Sequence, residues 1–117
     1  MIKKILIALA IVLVLIQFIR PAKNDAGGVV YSMPTGYNVP PEVNVILKPA
    51  CLDCHSNVTH YPWYSNIQPA AWFLANHVKE GKEHLNFSEF TNRRIAYQHH
   101  KFEEIVEMVK EKEVPLP

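Results

Sequence analysis

Two cysteines are all that this 117-residue chain contains. That number excludes the disulfide framework on which small secreted domains without a large core usually depend. No stretch alternates apolar and polar residues, so nothing points to a half-buried strand. There is no repeat and no low-complexity segment. A basic surplus is also missing: residues 24–117 hold 8 Lys/Arg against 11 Asp/Glu, a net of −3. A nucleic-acid partner would call for a basic patch or stripe, so none is expected. The same segment carries 11 aromatic residues, too many for intrinsic disorder.

What is present falls into two parts. From Ile5 to Ile19 the run ILIALAIVLVLIQFI has one polar residue, and Lys3 and Lys4 precede it. That is the polarity of an export signal. No small-x-small cleavage site follows, so residues 1–20 are expected to be an uncleaved signal-anchor rather than a cleaved signal peptide. The positive-inside rule keeps the lysines in the cytoplasm and exports the remainder. The expected location is the bacterial inner membrane, with the domain in the periplasm. The alternative is a soluble periplasmic domain after cleavage.

Residues 21–41 read as a linker, polar at first and then broken by Pro34, Gly36, Pro40 and Pro41. Pro41 can open a short helix over EVNVIL, which Pro49 ends. A second helix is predicted from Pro69 through PAAWFLANHVKE, with Gly81 as its stop. Its apolar side carries Ala70, Phe73, Leu74 and His77. Asn86 to Phe90 reads as a turn. The last helix is predicted over about residues 92–112, with Ile95, His99, Phe102, Val106 and Val109 as its inward stripe, widened by Ile105. The fold class is therefore all-α: a small helical domain over 42–117 behind the N-terminal helix.

The chemistry sits at Cys51-Leu52-Asp53-Cys54-His55. C-x-x-C-H is the attachment signature of c-type haem. Each thiol adds across one vinyl group of the porphyrin, and the adjacent imidazole becomes the proximal iron ligand. Three other readings stand beside it. A thioredoxin-like redox pair would sit in a fold with strands. A zinc site could draw on Cys51, Cys54, His55 and His60, a cramped tetrahedral set. A structural disulfide would leave His55 idle.

Cys51-Leu52-Asp53-Cys54-His55-Ser56-Asn57, Tyr61 to Pro69, His77-Val78-Lys79-Glu80-Gly81 and His84 to Glu89 together resemble the small bacterial haem-binding domain family with a single C-x-x-C-H. The resemblance runs from about residue 40 to the C-terminus. It implies one covalently attached haem c, with Cys51 and Cys54 as thioether residues and His55 as iron ligand. It implies no reaction. The chain departs from the family at Val114-Pro115-Leu116-Pro117, where relatives carry Met-Pro-Leu-Pro and a further helix. A domain lacking that C-terminal helix is the expectation.

For the sixth iron ligand, His77 is the first choice, because it lies on the apolar side of its helix. A histidine near a helix C-terminus also has a plain structural use, capping a carbonyl with help from the dipole. His99 and Met108 are weaker candidates, and Met108 would raise the potential. An open iron is the remaining option. His60, His84 and His100 are not expected to reach the iron. The functional expectation is one-electron transfer to an unknown redox partner, with membrane association through the N-terminal helix. The alternatives are a haem-based sensor with an open iron, or a zinc or disulfide structural module. No distal acid/base pair is nominated for a peroxidase, so a carrier is favoured over an enzyme.

Overall fold

The computed structural model describes residues 1–28 and 32–114. Pro115, Leu116 and Pro117 lie outside the described residues, and so does the question of the missing C-terminal helix. The elements are α1 (Ile2–Ile16), α2 (Met33–Gly36), α3 (Pro41–Leu47), α4 (Ala70–His84) and α5 (Ile95–Lys110). A π-helical turn at Lys48–Leu52 follows α3, and a 3-10 turn at Trp63–Asn66 precedes α4. Among the described residues there is no strand, and Asp25 and Val58 form an isolated antiparallel bridge. The fold is all-α.

The first helix differs from the signal-anchor expected over residues 1–20. It ends at Ile16 and buries no residue. No helix among the described residues is long and apolar enough to cross a membrane. The stop has a tertiary cause. The Gln17 amide turns back to the Leu13 carbonyl and also bonds the Gln68 carbonyl, and the Ile19 carbonyl accepts from the Gln68 side chain. The chain is thereby tied to the domain instead of continuing the helix.

Residues 21–41 were expected to be a spacer, but the described part of them packs onto the domain. Ala26 N–H donates to the Asn57 carbonyl at 3.0 Å, and Thr59 N–H to that of Asn24 at 3.1 Å. Met33 is buried in the core, and its N–H donates to the Phe87 carbonyl at 2.8 Å. A polar composition is consistent with a solvated linker, but here the polar groups of Asn24 find partners within the fold.

The core is small. Met33, Leu85, Phe87 and Phe90 form its buried centre, with Leu47, Cys51, Phe102 and Ile105 packed around it. The rings of Phe90 and Phe102 meet at 5.0 Å and 64°, a tilted geometry that the ring quadrupoles favour. Tyr37 closes the other side, edge-on to Phe102 at 5.3 Å.

Helix α5 presents a different face from the expected stripe. Gln98 is buried, and Tyr97, Phe102 and Ile105 join the core. Ile95, His99, Val106 and Val109 are exposed. Both stripes repeat at three- and four-residue spacing and share Phe102 and Ile105, so periodicity alone does not separate them. Hydrogen bonds decide it. The Gln98 amide accepts from Tyr37 Oη at 2.6 Å and donates to the Arg93 carbonyl at 2.7 Å, so a buried polar group is fully partnered.

Candidate functional site

The site is assembled where a widened turn meets the end of α4. Pro49 has no N–H to continue the i→i−4 ladder. Here α3 does not stop at Pro49 but opens into the π-helical turn that carries Cys51. Widened turns of this kind often occur at functional sites. The His55 N–H then donates to the Cys51 carbonyl at 2.9 Å, and the Cys54 N–H to the same oxygen at 3.3 Å. One closed turn therefore holds the backbone of Cys51, Cys54 and His55 together. Both cysteines are free and half-buried.

His55 is held from two directions. Its Nδ1 lies 3.0 Å from the Leu85 carbonyl oxygen. That oxygen is available because α4 ends there: Leu85 is extended, with φ −155° and ψ 125°. The His55 carbonyl in turn accepts the Phe87 N–H at 2.7 Å. An imidazole donating from Nδ1 to a carbonyl has its tautomer fixed, and its Nε2 lone pair is free to coordinate.

The next residues repeat the pattern. Asn57 N–H donates to Ser88 Oγ at 3.0 Å, and Asn86 Nδ2 donates to Asn57 Oδ1 at 2.8 Å. The turn predicted at Asn86–Phe90, together with Leu85 before it, is thus a cradle for His55–Asn57. On the other side, Asn24 Nδ2 donates to the Ser56 carbonyl at 2.8 Å and to Thr59 Oγ1 at 2.9 Å, while its N–H donates to Tyr61 Oη at 2.6 Å. Lys82 Nζ donates to Asn24 Oδ1 at 2.7 Å. Within the loop, Thr59 Oγ1 donates to the Asp53 carbonyl at 2.6 Å.

Helix α4 touches the cysteine turn at Gly81. A Cβ on that residue would lie 2.7 Å from the Cys54 carbonyl oxygen. Gly81 was expected to stop the helix. It lies inside the last turn instead, and its missing side chain permits the close approach of two backbones. His77 lies one turn before it, whereas Phe73, a turn further back, is exposed, and the buried residues of α4 are Ala71 and Val78 rather than the expected Phe73 side. The rings of Phe73 and His77 stack at 6.2 Å and 11°, and His77 is half-buried.

The other candidates lie elsewhere. His99 is exposed and 3.6 Å from Glu103. Met108 is exposed. The reason is the rotation of α5, which turns both away from the core. His60 pairs with Asp53 at 3.0 Å, and His100 with Glu104 at 3.3 Å. His84 is exposed. Two surface hollows, of 490 and 560 Å³, are lined by other residues and include none of Cys51, Cys54 and His55.

The thiols are not set up as nucleophiles. Burial pushes the Cys51 thiol up, and a charge on neighbouring Cys54 would push it further. Burial likewise raises Cys54, with the Asp53 carboxylate adding to the effect. A thioredoxin-like pair needs the opposite shift. No three His, Cys, Asp or Glu side chains among the described residues are grouped to hold a bare metal ion.

The chain belongs to the haem-binding domain family. The family model matches residues 11–117, which takes in the segment once read as linker. No curated protein and no solved structure matches the chain. Haem is therefore the cofactor of this domain. The residues fit it: of two free thiols, Cys51 lies one turn before His55 and Cys54 directly before it, and the imidazole has its Nδ1 committed to the Leu85 carbonyl. Sequence reasoning missed the Leu85 carbonyl, the Asn24 contacts and the role of Gly81. A carbonyl leaves no trace in side-chain identity, and a glycine before a turn reads equally well as a helix stop.

Proposed function

We propose that this chain is a monohaem c-type protein whose domain lies outside the cytoplasmic membrane and passes single electrons between redox partners. The observation that carries the reading is the His55 Nδ1 contact with the Leu85 carbonyl, one helical turn from Cys51. Cys51 and Cys54 would hold the porphyrin through thioether bonds, and His55 Nε2 would ligate the iron. When bound, haem supplies a one-electron couple whose potential depends on axial ligands, hydrogen bonds and burial. The polypeptide fixes the imidazole through Leu85 and Phe87, and it keeps the loop after His55 in place through Asn24, Asn57 and Ser88.

His77 is the sixth ligand in this reading, since it shares the side of α4 that meets Cys54. The leader α1, charged at Lys3 and Lys4 in its first turn and apolar on every side from Ile5 onward, is the membrane attachment. The −3 charge of residues 24–117 favours a redox partner with a basic docking patch, through electrostatic steering.

A haem-based sensor with an open iron is the second reading. It draws support from the exposure of His99 and Met108, which leaves His77 alone among the three candidates. Visible spectra separate the two. A carrier stays six-coordinate and low-spin in both oxidation states and ignores carbon monoxide. A sensor binds it.

A further inference from the structure

The junction between α1 and the domain is built as a clamp. Gln68 is 3% exposed, and every polar group it has is used. Its N–H donates to Gln17 Oε1 at 2.9 Å, and its carbonyl accepts from Gln17 Nε2 at 3.2 Å. Its side-chain amide donates to the Ile19 carbonyl and accepts the Trp72 N–H. This pairing fixes the end of α1 beside the turn Trp63–Asn66.

Around that clamp the surface is apolar. Phe18 is 82% exposed, Ile19 61%, Trp63 77% and Ile67 47%. Trp63 and Tyr64 stand edge to face at 5.7 Å. A soluble domain of this size rarely leaves such a patch uncovered.

We propose that the turn Trp63–Ile67, with Phe18 and Ile19, is a lipid-docking surface that seats the domain directly on the bilayer. Three observations favour lipid over a protein partner. First, the patch continues into α1, which is apolar on all sides from Ile5 to Ile16 and buries nothing; a protein partner would cover one side only. Second, exposed Trp and Tyr at the foot of an apolar helix match the aromatic belt found at membrane interfaces, and Arg20 and Lys23 follow where cationic side chains meet headgroups. Third, length matters. The fifteen residues of α1 extend about 22 Å, against roughly 30 Å of hydrocarbon. Such a deficit draws flanking residues toward the membrane, and the flanking residues here are Phe18, Ile19 and the clamped turn.

The proposal rests on α1 being the membrane attachment, and the test separates the two claims. The holoprotein is reconstituted into liposomes of phosphatidylcholine and phosphatidylglycerol. Photoreactive benzoylphenylalanine replaces Val14, Trp63 or Glu103 in turn, and crosslinked products are identified by mass. Docking gives phospholipid adducts at Val14 and Trp63 and none at Glu103, on the exposed side of α5. Gln17→Ala should abolish the Trp63 adduct and leave that at Val14. Adducts at Val14 but not Trp63 overturn the docking and spare the attachment. No adduct at either position overturns both. Crosslinking of Trp63 to a second copy, another protein or the chain's own haem overturns the lipid assignment. An adduct at Trp63 that survives Gln17→Ala overturns the clamp.

Discussion

The Nδ1 nitrogen of His55 lies 3.0 Å from the carbonyl oxygen of Leu85, thirty residues further along the chain. The two are brought together because α4 ends at Leu85 and because Gly81, one turn earlier, lets that helix pack on the Cys54 backbone. The geometry of the imidazole therefore depends on the C-terminal turn of α4 as much as on the cysteine motif.

Gly81→Ala tests that dependence. Its Cβ would meet a backbone oxygen that has no free rotation to escape. Overpacking of this kind costs about 1–3 kcal/mol, read as a lower denaturant midpoint of the holoprotein. The visible spectrum should shift with it, because the helix end that carries the Leu85 carbonyl moves.

Ser88→Ala removes the acceptor for the Asn57 N–H. A lost hydrogen bond with a half-buried donor left behind costs about 1–2 kcal/mol. Chemical denaturation should show that loss while haem content stays at one per chain, because neither the thiols nor His55 is altered.

The sixth-ligand assignment is open to a direct comparison. His77→Ala should convert a low-spin six-coordinate spectrum to one that responds to carbon monoxide. His99→Ala and Met108→Leu should leave the spectrum unaltered, since both side chains point to solvent in α5. A change confined to either of those two variants would transfer the role.

Haem should also be part of the core. The buried centre comprises Met33, Leu85, Phe87 and Phe90, a modest apolar mass for a chain of this length. Cys51→Ala/Cys54→Ala protein should lose much of its helicity by circular dichroism. Full native helicity in that variant would show that the polypeptide folds without its cofactor.

The all-α class, the cysteine motif, the helix opening at Pro41 and the turn at Asn86 were legible in the sequence, because each has a local cause. The inward face of α5 was legible only in part, since two regular stripes share Phe102 and Ile105 and the choice between them rests on Tyr37 and Arg93 bonding Gln98. The contacts of Asn24 were hidden for a similar reason: a polar residue in a proline-broken segment looks solvated until its partners, Ser56, Thr59, Tyr61 and Lys82, are known. The end of α1 at Ile16 depends on Gln68, fifty-one residues away from Gln17.

Covalent attachment is the central claim, and one measurement addresses it most directly. The chain is expressed with the c-type maturation machinery, extracted with acidified organic solvent, and assayed as its pyridine haemochrome beside its intact mass. The expected result is a thioether-type haemochrome that stays with the polypeptide, together with a mass increase of one haem that Cys51→Ala/Cys54→Ala abolishes. Haem that partitions entirely into the solvent, leaving a chain of unmodified mass, would contradict it.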